Sequence, residues 1–197
     1  ASKDDVVVKA WGELKNGQQI CTGTISIGNP KEPSYLQSLE LKNSPPEQIR
    51  ILSEYNLGDE LGPDEIYISQ SAASKGLPGI TDRLDYYKNG SPWGKSILSP
   101  TAMYGVQAFF TSRHDDSETH KGVPFFGATE VRNVNGPTCV ETPYIARGKI
   151  ICIGASRKTE YLWIESTLEE KETGKIVAKL FHLDRFMKQG SSLYPEN

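Results

Sequence analysis

Asp82 and Asp85 lie three residues apart and are followed directly by Tyr86 and Tyr87. A helical turn at this spacing presents a carboxylate beside a phenol on one face. A carboxylate whose pKa is raised by burial acts as a general acid or base, and a phenolic O–H polarises a carbonyl. The plainer alternative has Asp82 capping the turn and Asp85 paired with Arg83 or Lys88 at the surface. A few residues on, Asn89, Ser91 and Trp93 set two hydrogen-bonding side chains beside a large ring. That combination suits a flat, partly apolar ligand, or else a tight turn whose Trp packs inward. The backbone N–H groups near Thr101 to Met103 open a helix and are placed to stabilise an oxyanion such as an enolate.

Other candidate groups are less specific. His114, Asp115, Asp116 and His120 form a polar cluster whose spacing matches no established metal motif. His182 sits in the strand-like run Leu180-Phe181-His182-Leu183, where it either faces a pocket or pairs with an acid of a neighbouring strand. Glu130, Arg132, Arg147 and Glu160 alternate with apolar neighbours, which reads as a solvated sheet face or as cross-strand ion pairs. Three cysteines, Cys21, Cys139 and Cys152, make an odd set without CxxC spacing, so neither a disulfide framework nor a zinc site is expected. Cys152, within Ile150-Ile151-Cys152-Ile153, suits a buried strand. The chain has no GxSxG, HExxH or Walker sequence and no GxGxxG before a helix, which weighs against hydrolase triads, zinc proteases and nucleotide enzymes.

The elements that must position these groups follow from patterning. Ser99 is the natural N-cap of a helix over residues 97–110, with Pro100 in its first turn. Met103, Val106, Gln107 and Phe110 recur at three- and four-residue spacing, while Ala102, Gly105 and Ala108 permit close approach to a sheet. Strand-like segments follow at residues 125–132, 144–153, 160–168 and 176–186, separated by the turn signals Asn135-Gly136 and Thr173-Gly174. Upstream, residues 6–11 and 18–27 flank Asn16-Gly17 and predict an N-terminal hairpin. Residues 35–41 and 48–55 read as short strands, 65–69 as a strand and 71–79 as loop, and residues 81–87 begin a helical turn that Asn89-Gly90-Ser91-Pro92 must interrupt. One helix followed by a strand meander is an α+β arrangement.

A chain of 197 residues supports one sizeable core. Its net charge of -3 offers no basic excess for phosphates, so nucleic acid is not an expected partner. No apolar run approaches the roughly 20 residues of a membrane span, and the acidic start lacks a signal-peptide pattern, so the expectation is a cytoplasmic protein without a membrane partner.

From Asn56 onward the order of features resembles the hot-dog fold of MaoC-like hydratases and dehydratases. The matching features are a Gly58-Asp59-Glu60-Leu61 approach, a strand, a short helical piece, a loop with Ser91-Pro92, the central helix from Pro100, and the meander. The resemblance spans about 130 residues, roughly 56–187, and a local likeness to hot-dog-like proteins rests on Lys158-Thr159-Glu160-Tyr161-Leu162-Trp163 and Arg185-Phe186-Met187-Lys188. It implies an antiparallel sheet wrapped around a central helix over residues 56–197, with residues 1–55 as an N-terminal β extension. It also implies a homodimer, and a small-molecule pocket at the N-terminal end of that helix. The loop of MaoC-like enzymes carries an acid or amide, a Pro and a His. Here the matching stretch Asn89-Gly90-Ser91-Pro92-Trp93-Gly94 has no His, so their water activation is not carried over.

The expectation from the residues and the resemblance together is a cofactor-independent lyase or isomerase acting on an apolar oxygenated intermediate such as a polyketide or terpenoid. Asp85 is its base, Tyr86 or Tyr87 its donor, and Asn89, Ser91, Trp93, Thr101 and Met103 hold the substrate. Two alternatives stand beside it: a hot-dog acyl thioesterase, and a non-catalytic small-molecule binding protein with a lipocalin-like barrel.

Overall fold

The computed structural model describes residues 6–27, 33–80, 84–107 and 122–195. Asp82, His114, Asp115, Asp116, His120 and the far end of the expected helix, including Ala108 and Phe110, lie outside them. The chain divides into two compact units, residues 1–39 and 40–197.

The first unit holds an antiparallel hairpin of β1 (Val6–Glu13) and β2 (Gln19–Ile27). Its turn works because Gly17 adopts a φ of 81°, where a side chain would be strained, and Asn16 accepts the Gln18 N–H at 3.0 Å.

The second unit is a five-stranded antiparallel sheet with one helix laid on it. Its strands are β3 (Glu60–Tyr67), β4 (Pro124–Asn133), β5 (Pro143–Ala155), β6 (Thr159–Glu170) and β7 (Ile176–Met187), in the order β3-β5-β6-β7-β4. β5, β6 and β7 are thus interior and β3 and β4 are edges. α1 (Gln70–Lys75) follows β3, and α2 (Pro100–Gln107) is the central helix. Met103 and Val106 of α2 join Leu98, Val140, Tyr144, Leu168 and Ala178 in a buried cluster, and the Ser166 hydroxyl donates to the Gln107 carbonyl at 3.2 Å. Helix and sheet therefore bury each other's apolar face, which is what the spacing of these residues requires.

A second cluster, Ile51, Leu52, Ile150, Ile153, Leu162, Ile164 and Phe186, is organised by one carboxylate. Glu160 is fully buried and accepts the backbone N–H groups of Arg50 (2.8 Å), Ile51 (3.0 Å) and Leu52 (2.9 Å) and the Tyr194 hydroxyl (2.6 Å). A buried charge is tolerable only when its lone pairs are filled, and here they are. Residues 50–52 are thereby fixed to the sheet unit.

Four expectations for local structure are corrected. Residues 48–55 form no strand, because Glu160 takes their N–H groups. A 3-10 turn at Pro46–Gln48 and further turns occupy the segment. Residues 35–41 are likewise turns and irregular chain. Residues 71–79 are helical rather than loop: Ser69 caps α1 by accepting the Ala72 N–H at 3.1 Å, and a 3-10 turn follows at Leu77–Gly79. The strand expected at residues 65–69 starts earlier, at Glu60.

Candidate functional site

The loop between α1 and α2 is built to hold a cavity. Asp85–Tyr87 is a 3-10 turn closed by the Lys88 N–H on the Asp85 carbonyl at 2.9 Å. The Gln70 side chain donates to the Tyr87 carbonyl at 2.9 Å, which ties the loop to α1, and the Ile97 N–H donates to the Tyr86 carbonyl at 2.9 Å, which ties it to the approach to α2. Between these ties lies a cavity of about 350 Å³ lined by Ser74, Leu77, Pro78, Ile80, Leu84, Tyr87 and Lys88. Its lining is mixed, four apolar side chains with one phenol, one hydroxyl and one ammonium.

The sequence-predicted residues divide around this cavity. Tyr87 is buried and lines it, while Asp85 and Tyr86 precede it on the exposed side of the same turn. Asn89, Ser91 and Trp93 lie outside the lining. The Ser91 hydroxyl is engaged within its own turn, donating to the Lys95 carbonyl at 2.6 Å and accepting the Trp93 N–H at 3.2 Å. Trp93 stands 57% exposed, so it is not a core residue. Thr101 is exposed at the start of α2, whereas Met103 is buried in the helix–sheet core. Ser99 already takes two of the three helix donors there, its hydroxyl accepting the Ala102 N–H at 3.3 Å and its carbonyl the Met103 N–H at 2.9 Å.

A second polar cluster lies beneath α2. His182 is fully buried; its Nε2 is 2.8 Å from Asp184 Oδ1 and its Nδ1 is 2.6 Å from Thr129 Oγ1. Tyr104 of α2 brings its hydroxyl to 3.4 Å from Nε2, and the rings of Tyr104 and Phe126 pack edge-on against the imidazole at 5.1 and 5.2 Å. The acid that pairs with His182 is thus on its own strand. The His-x-Asp spacing on a strand, which places both side chains on one face, was the available signal. Thr129 was invisible to that argument, since only the β4–β7 register sets it opposite His182.

Burial pushes the Cys139 and Cys152 thiols up, which keeps them protonated and poorly nucleophilic. Glu130 and Arg132 approach each other to 3.7 Å on β4, and Arg147 is exposed. Among the described residues no group of three or more His, Cys, Asp or Glu could hold a metal ion.

No family model and no curated protein matches the chain. Solved structures do. A monoamine oxidase regulatory protein from Archaeoglobus fulgius superposes with a TM-score of 0.58 at 12% identity, over 76% of this chain and 98% of that one. The HadBC (3R-hydroxyacyl-ACP dehydratase) complex from Mycobacterium tuberculosis gives 0.51 at 11%, over 71% and 98%. An (R)-hydratase from A. caviae involved in PHA biosynthesis gives 0.51 at 8%, over 66% and 96%. At such identities the likeness is one of backbone. With α2 laid on a sheet ordered β3-β5-β6-β7-β4, it shows this chain to have the hot-dog fold that these structures share.

Proposed function

We propose that the protein is a cofactor-independent acid–base enzyme of the dehydratase type, a lyase or isomerase whose substrate enters the cavity between α1 and α2. The observation that carries this reading is the cavity itself. It is lined from α1 to the Asp85–Tyr87 turn, is large enough at about 350 Å³ for a small molecule, and has the buried Tyr87 in its wall. The hydratase and dehydratases that share the fold lend further support.

Asp85 is exposed and does not line the cavity, so it is not the buried carboxylate expected from the sequence. In this reading it removes a proton next to the carbonyl of a substrate that projects from the cavity, and the Tyr87 phenol donates to the oxygen on which negative charge develops. Tyr86 and Trp93 are exposed rings, and Asn89 and Thr101 exposed polar residues, that the proposal enlists for substrate contacts outside the cavity lining. The apolar wall of Leu77, Pro78, Ile80 and Leu84 favours a hydrocarbon-rich, oxygenated substrate of the polyketide or terpenoid kind. A homodimer is part of the proposal.

The test is turnover of a panel of 3-hydroxyacyl and 2-enoyl thioesters, followed as loss or gain of the conjugated enoyl absorbance. Asp85→Asn and Tyr87→Phe are each expected to lower the rate about 100-fold or more while leaving the circular dichroism spectrum intact. Unchanged rates in both variants would remove these residues from the chemistry.

A further inference from the structure

The cluster beneath α2 has an order that a merely space-filling polar core does not need. Thr129 on β4 and His182 on β7 are register partners, and Asp184 follows His182 at the two-residue period, so hydroxyl, imidazole and carboxylate lie along one face of the sheet. The contacts are 2.6 Å from Thr129 Oγ1 to Nδ1 and 2.8 Å from Nε2 to Asp184 Oδ1. Where the carboxylate accepts from the ring, the ring proton sits on Nε2. Nδ1 is then left as a lone pair that accepts the Thr129 O–H. A hydroxyl donating to an imidazole whose far nitrogen is held by a buried carboxylate is the arrangement of an activated nucleophile.

Access differs along the row. His182 is wholly buried and Asp184 nearly so, whereas Thr129 is half-buried and sits on an edge strand that pairs with β7 alone among the described strands. Three residues before it, Phe126 is 61% exposed yet packs against both His182 and Tyr104, with ring centroids at 5.2 and 4.7 Å. The register shift between Phe126 and Ala128 directs that ring. The hydroxyl end of the row is therefore the more accessible one, while the charged end is kept from water.

We infer that Thr129, His182 and Asp184 form a nucleophilic centre for acyl transfer from an activated ester or thioester, separate from the cavity between α1 and α2. Thr129 Oγ1 attacks the acyl carbonyl carbon as its proton passes to His182 Nδ1. The C–S bond then breaks, and the departing sulfur takes that proton to leave as a thiol and an acyl ester on Thr129. Water attacks the ester, giving a proton to Nδ1, which returns it to Oγ1 as the carboxylic acid leaves. Asp184 is a positioning residue: it touches His182 and fixes its tautomer.

The experiment incubates the full chain with p-nitrophenyl acetate and with short acyl thioesters, reading nitrophenol or thiol release together with the intact mass. The expected result is release above the buffer rate and an acyl mass increment that maps to the peptide holding Thr129. Thr129→Val, which keeps the β-branched shape, is expected to abolish both, and Thr129→Ser to retain them. Asp184→Asn is expected to lower kcat by about 10³-fold or more with KM little changed, because it favours the wrong tautomer. Release by Thr129→Val at the wild-type rate, or no release and no adduct in the folded wild type, would overturn the assignment. Hydrolysis frees a thiol whereas dehydration does not, so this result is distinguishable from that of the α1–α2 cavity.

Discussion

Single residues in this fold carry more than their share of its stability. Tyr194 donates to Glu160 at 2.6 Å, and Glu160 holds three consecutive backbone N–H groups with its two oxygens. Tyr194→Phe should cost about 1.5 to 3 kcal/mol, the worth of a hydrogen bond to a charged group, and Glu160→Gln should cost more because an amide N–H₂ then faces backbone donors. Urea denaturation midpoints measure both. The same contact makes the protein sensitive to alkali. Burial, then the Glu160 carboxylate, pushes the Tyr194 phenol from its ordinary 10.0 up to about 12. Burial likewise brings Tyr55 and Tyr144 from 10.0 to about 12. The folded state therefore holds these protons more tightly than the unfolded chain. Their contribution is complete below pH 10 and is lost as pH rises from 10 toward 12. Ellipticity followed against pH should fall in that window, and Tyr194→Phe should weaken the fall.

At the scale of elements, close approach between strands is the exacting requirement. Gly154 and Tyr161 are register partners on β5 and β6, and a Cβ at Gly154 would run into the Tyr161 ring, whose hydroxyl is anchored on the Lys42 carbonyl at 2.8 Å. Gly154→Ala should thus destabilise by about 1 to 3 kcal/mol, read as a lower thermal midpoint. The four long strands after α2 and the Ser99–Pro100 start of that helix were legible because alternation and capping are local signals. The turns over residues 48–55 were not. Their Ile-x-Ile alternation imitates a strand, and only the distant Glu160 reveals that their N–H groups are taken. α1 escaped notice because six residues carry too little periodicity to register. At the candidate site, Tyr87 was readable from its neighbours. Ser74, Leu77 and Ile80 were not, since the cavity exists only after α1 folds back beside the loop.

At the scale of the whole molecule, the sheet order β3-β5-β6-β7-β4 on a central helix defines the fold, and no helix of the described residues is long and apolar enough to cross a membrane. Two separate groups of residues carry the proposals made for this architecture. One is the lining of the cavity with Tyr87, and the other the buried Thr129–His182–Asp184 row. Proton exchange reports on the proposed acid–base chemistry in the cavity. The protein would be incubated in deuterated water with each 3-hydroxyacyl and 2-enoyl thioester, and nuclear magnetic resonance would follow the hydrogens next to the carbonyl. Deuterium is expected there with the wild type and is expected to be lost in Asp85→Asn. Deuterium incorporation that persists unchanged in both Asp85→Asn and Tyr87→Phe, or that never appears with the folded wild type, would contradict it.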